Sequence, residues 1–177
     1  ITETVNVAQS PWSGEWTPQA ELQGTANGNW PPTPAVINNS LRFRSSASAY
    51  LSRTPASASN RTTWTWSAWV KRGALAQGFL FGANANANTG ISISYESNTL
   101  TVGVNAVGVI STSAVFRDPS AWYHVVFVLD TTQATQTNRA KFYVNGVQQS
   151  FASFTLFGTQ NAQFDVNNTT GHQIGVV

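Results

Sequence analysis

The sequence predicts an all-β protein, an antiparallel β-sandwich preceded by an irregular N-terminal arm, and three observations carry that prediction. Apolar and polar residues alternate with period two in one segment after another from Ser40 onward, as half-buried strands require. Turn-forming residues separate these segments at short spacing, most clearly Asn145-Gly146. No segment sustains the 3.6-residue apolar period of an amphipathic helix.

The arm comes first, over residues 1–37. It holds Pro11, Pro18, Pro31, Pro32 and Pro34 together with Trp12, Trp16 and Trp30. Proline removes a backbone donor and blocks regular ladders, whereas disordered segments are poor in aromatic residues. The expectation is an irregular arm that docks through Trp12, Trp16 and Trp30 on its own domain or on a neighbouring subunit. Only Pro18–Gln23 suits a short helical turn.

The domain follows over residues 38–177. LRFR places Leu41 and Phe43 on one face and Arg42 and Arg44 on the other. TWTWSAWVK turns Trp64, Trp66, Ala68 and Val70 inward, with Thr65, Ser67 and Lys71 opposite. ISISYE and TLTVGVN alternate in the same way around a Ser97-Asn98 turn. WYHVVFVLD is apolar on both faces, as a central strand would be, and AKFYVNGVQQ is a hairpin whose Asn-Gly suits a type I′ turn. Six side chains are expected to be mostly buried: Phe43, Trp64, Trp66, Val126, Val128 and Phe142.

Taken in order, SLRFRSSASAYLSRTP, WTWSAWVKR, GFLFGA, GISISYESNTLTVGV, DPSAWYHVVFVLD, AKFYVNGVQQ and HQIGV resemble the laminin-G-like branch of the concanavalin A-like lectin/glucanase superfamily. The matching positions are Phe43 and Tyr50, Trp69-Val70, Trp122 with His124-Val125, Tyr143 to Val147, and Ile174-Gly175. The resemblance spans Ser40 to Val177 and implies a jelly-roll β-sandwich with a buried tryptophan at Trp122. It also implies one or two closing strands after the Ile-Gly pair, and the sequence carries none. The wording SAYLSRTP, WTWSAWVKRG and FRDPSAWYHVV is similar to modules of phage virion proteins, tail fibres and appendages among them.

Composition narrows the function. Charged residues are 9% of the chain, against roughly 25% in an average soluble protein, so uncharged amides and hydroxyls must cover the surface. Net charge is +2 with scattered cations; no basic stripe exists, and no nucleic-acid partner is expected. No apolar run approaches the roughly 18 residues of a membrane helix. Cysteine is absent, so stability rests on packing. A chain that begins Ile-Thr-Glu without any methionine reads as a processed product or a piece of something longer.

Glycoside hydrolysis needs two carboxyls across the scissile bond, which the glucanase branch places as E-x-D-x-x-E. The acids here, Glu3, Glu15, Glu21, Glu96, Asp118, Asp130 and Asp165, are scattered, and no strand segment carries a pair. No catalytic residue, metal ligand or cofactor is therefore assigned. Calcium takes several oxygen ligands, and Asp130 reads as a turn cap instead. Two histidines are too few for a metal site; His124 reads as a core histidine, and Trp64, Trp66, Trp69 and Trp122 mostly as core. In GANANANTG, Asn84, Asn86 and Asn88 are candidate sugar-binding amides, with an ordinary polar hairpin loop as the plainer reading. The resulting expectation is a non-catalytic structural or adhesion module of a phage particle (tail fibre, appendage or capsid decoration). It would be a homo-oligomer, contact other virion subunits and bind glycan. The alternative is a secreted carbohydrate-binding module or a glucanase-related enzyme domain.

Overall fold

The computed structural model describes residues 39–84, 90–104, 108–155 and 158–175. The expectations placed on Trp12, Trp16, Trp30, Asn86 and Asn88 lie outside the described residues. The chain divides into two compact units, Ile1–Arg42 and Phe43–Val177, and the architecture below is that of the second.

Eleven described strands form two antiparallel sheets. Seven of them, β1 (Leu51–Arg53), β3 (Gly78–Ala83), β4 (Ile91–Glu96), β5 (Thr99–Val104), β6 (Gly108–Thr112), β10 (Phe151–Phe154) and β11 (His172–Ile174), lie in the order β1-β11-β3-β4-β5-β6-β10. The other four, β2 (Thr63–Lys71), β7 (Trp122–Asp130), β8 (Ala140–Val144) and β9 (Val147–Gln148), lie in the order β2-β7-β8-β9. The fold is thus the expected concanavalin A-like β-sandwich.

The core follows from register. One row of side chains crosses the seven-stranded sheet: Leu51, Ile174, Phe81, Ile93, Val102 and Ile110, ending at Phe154. Ile93, Val102 and Ile110 in its centre are fully buried. From the facing sheet, Val125, Phe127 and Leu129 of β7 and Ala140, Phe142 and Val144 of β8 point into the same core. Trp66 of β2 meets Phe81 of β3 at 6.2 Å between centroids. Burying each large aliphatic or aromatic side chain contributes about 1.5–3 kcal/mol, so these rows dominate the stability.

Two buried arginines hold the loops. Arg72 donates to the carbonyls of Phe116 and Ala76 and to the Asn98 side chain, and its guanidinium lies 4.5 Å over the Tyr95 ring. Arg139 donates to the carbonyls of Gln133, Ala134 and Gly158. Each replaces strand pairing in a connection that would otherwise leave carbonyls unpaired.

Three expectations are corrected. LRFR forms no strand: residues 39–44 are irregular, Leu41 is 71% exposed, and the first strand begins at Leu51. Alternation alone does not make a strand without a paired neighbour, and among the described residues no strand pairs with 39–44. Phe43 is half-buried, with its ring close over Gly175. Of the six side chains expected inside, Phe142 is fully buried, while Trp64 and Trp66 face the core at half burial. Val126 and Val128 are half-buried on the opposite face of β7, because the core takes the odd-numbered positions of that strand.

Candidate functional site

The outer face of the four-stranded sheet carries the least expected chemistry. On β2 the exposed positions are Thr65, Ser67, Trp69 and Lys71. Pairing with β7 sets Trp69 opposite His124, Lys71 opposite Trp122 and Ser67 opposite Val126. Tyr143 of β8 lies opposite Val126, and Lys141 opposite Val128. One face therefore presents Trp69, Trp122, His124 and Tyr143 over a floor of Val126 and Val128. Side chains on one face at neighbouring register positions lie close enough to touch.

Local sequence explains the arrangement. Val125, Phe127 and Leu129 are fully buried, so the strand's period of two forces Trp122 and His124 outward. The exposures are large for tryptophan: 57% at Trp69 and 47% at Trp122. The imidazole of His124 stacks on Trp69 at 5.1 Å between centroids and 30° between planes. Its Nε2 lies 2.9 Å from the Ser67 hydroxyl. Asn145 fixes the same strand from the hairpin turn: its side-chain oxygen accepts from the His124 backbone N–H, and its own N–H donates to the His124 carbonyl. Trp69 thus stacks on a ring that the Ser67 hydroxyl engages at Nε2, on a strand whose backbone Asn145 fixes. These placements correct the reading of His124, Trp69 and Trp122 as core residues; period-two counting from Lys71 would have turned Trp69 outward, but Trp122 and His124 sit in a strand apolar on both faces.

At the far end of the same face a polar cleft of about 270 Å³ is lined by Val128, Asp130, Gln133, Asn138, Arg139 and Lys141. The Thr132 hydroxyl and the Gln133 amide donate to the Asp130 carboxylate and hold it below the usual carboxylate range; the Thr132 backbone N–H adds a third bond. Asp130 is the turn cap expected from sequence. From Trp122 to Asp130 the strand runs about 26 Å, at roughly 3.3 Å per residue.

The remaining candidates lie elsewhere. Asn84 is exposed just after β3 in the other sheet, its carbonyl accepting from the Thr170 hydroxyl. The other described carboxylates are each engaged locally. Asp118 caps Ser120 through its backbone N–H and hydroxyl, and the bond from that hydroxyl lowers its pKa most. Glu96 accepts from Ser94 and Gln77. Asp165 is buried and pairs with Arg61 at 3.6 Å. Among the described residues no group of three His, Cys, Asp or Glu side chains gathers as a metal site would require.

No curated protein matches the chain. Residues 45–175 match the family model described as the concanavalin A-like lectin/glucanases superfamily. That span includes every described strand of both sheets and the whole aromatic face, and the chain belongs to this superfamily.

Proposed function

We propose that the domain is a non-catalytic adhesion module that binds glycan chains on the outer face of its four-stranded sheet. The observation that carries this reading is the pair of exposed tryptophans, Trp69 and Trp122, at diagonal positions on one face of two paired strands. Sugar rings present flat C–H faces that pack on aromatic rings, and hydroxyls that need precisely placed polar partners around them. Ser67, His124 and Lys71 supply those partners beside the tryptophans, and the Asp130–Lys141 cleft supplies more along the same line. Presentation on strands lowers the entropy lost on binding, since the platform is already ordered. A length of about 26 Å suits an extended oligosaccharide rather than a single sugar.

The setting we propose is a phage particle, where the module would sit among other virion subunits. Support for that setting comes from the wording SAYLSRTP, WTWSAWVKRG and FRDPSAWYHVV and from a surface poor in charge.

Titration of the intact chain with soluble oligosaccharides, followed by tryptophan fluorescence and calorimetry, tests the reading. Trp69→Ala and Trp122→Ala should each weaken binding at least tenfold, which corresponds to about 1.4 kcal/mol, while changing stability by less than about 1 kcal/mol. No release of reducing ends should accompany binding. Unchanged affinity in both variants, or turnover of the bound chain, would overturn it.

A further inference from the structure

The outer face of the four-stranded sheet is ordered in rows, and the rows differ in chemistry. Along β7 run Trp122, His124, Val126, Val128 and Asp130. On the β2 side, register sets Ser67 opposite Val126 and Thr65 opposite Val128. On the β8 side it sets Tyr143 opposite Val126 and Lys141 opposite Val128. The middle of the face is therefore an apolar strip with hydroxyls and an ammonium group along its edges. Val126 and Val128 are half-buried and Thr65 and Ser67 are exposed, so solvent reaches both the strip and its edge.

The second observation is that the lysines of this face each have a carboxylate beside them. Lys71 ends β2 opposite Trp122, and Asp118 lies just ahead of β7. Bonds from the Ser120 hydroxyl and N–H hold Asp118 below the usual carboxylate range, and the charge of Lys71 adds to that effect. At the far end the Thr132 hydroxyl and the Gln133 amide hold Asp130 low, and Lys141 adds its charge there. Arg139, which also lines the cleft, is buried with its guanidinium donating to three backbone carbonyls. A ligand carboxylate or sulfate entering the face would thus meet Asp118 or Asp130 together with either lysine, and like charges at an interface select against a partner.

We infer that the ligand of this face is an unbranched, uncharged chain of equatorially linked sugars laid along β7, an inference that rests on the glycan-binding reading above. A pyranose with equatorial substituents carries C–H bonds on its two flat faces and hydroxyls around its rim. Laid along β7, its flat face meets Trp122 and the Val126–Val128 strip, and its rim hydroxyls meet Ser67 and Thr65 on one side and Tyr143 and Lys141 on the other. Equatorial links keep successive rings in one extended line, as the row of β7 side chains requires. An axial link turns the chain into a coil that leaves the row, and a branch at the rim displaces the hydroxyls from their partners. Unpaired polar groups left in this way cost affinity.

The test titrates the intact 177-residue chain with cello- and xylo-oligosaccharides, with malto-oligosaccharides, whose links are axial, and with cellouronate oligosaccharides, the carboxylated form of the first. The neutral equatorial chains should bind at least tenfold more tightly than the other two, and their affinity should change less than twofold between about 0.05 and 0.5 M salt. Val126→Glu, on the solvent side of β7, should weaken their binding at least tenfold. Asp118→Asn should raise affinity for cellouronate about threefold at low salt, a gain that added salt removes. Preference for cellouronate with salt-sensitive affinity, equal binding of malto-oligosaccharides, or full affinity in a Val126→Glu protein that keeps its sheet spectrum would each overturn the inference and leave glycan binding standing. Binding to none of these sugars would overturn the glycan reading together with it.

Discussion

The Tyr95 side chain is buried in the core, and its hydroxyl has no hydrogen-bond partner among the described residues. Burial pushes its pKa up to about 12, against the opposing pull of Arg72. The sign follows directly. A pKa raised in the folded state gives stability that is complete below the ordinary tyrosine value and is lost as pH rises through about 12. Tyr95→Phe should therefore flatten the alkaline limb of the stability curve. At neutral pH it should leave stability equal or raise it, since an unpartnered buried polar group costs about 1–3 kcal/mol. Chemical denaturation at pH 7 and pH 11 checks both statements. The same residue-scale reasoning applies outside the core, where Trp69 holds its position by stacking on His124 and not by burial.

At the scale of elements, turns and strand ends set the register on which the aromatic face depends. Asn145 and Gly146 both have positive φ, 50° and 80°, as a type I′ turn demands, and the Asn145 side chain then reaches back to His124. The hairpin legible as Asn-Gly therefore also orients the candidate site. After β11, Gly175 has φ of 75°, and a methyl group there would lie 2.3 Å from Cγ of Phe43. Gly175→Ala should destabilise the domain by about 1–3 kcal/mol through overpacking and left-handed strain. It should also raise amide exchange at residues 43–53 and 172–175 before it affects β7. Uniform exchange changes across both sheets would contradict this local account.

At the scale of the whole domain, two buried arginines, Arg72 and Arg139, take over from strand pairing in the connections they touch. Arg139, buried beside β8, ties the 133–134 loop to Gly158 through three charge-assisted bonds. Arg139→Met keeps much of the bulk but leaves these carbonyls without their donor, so a loss of about 2–4 kcal/mol is expected, read as a lower midpoint with unchanged slope in denaturant.

Period-two alternation, Asn-Gly turn chemistry and the order of the motifs were sufficient for the all-β class, for β2, β3, β4, β5, β7, the β8–β9 hairpin and β11, and for the superfamily, while β6 and β10 carried no such signal. All of these depend on contacts between near neighbours along the chain or on local backbone preference. Two decisions needed the tertiary structure. In WYHVVFVLD both faces are apolar, so only packing against the opposite sheet decides that Val125, Phe127 and Leu129 go inside and Trp122 and His124 face out. In LRFR the alternation is present, but a strand exists only where another strand's donors and acceptors meet it, and that partner is a property of the assembled fold.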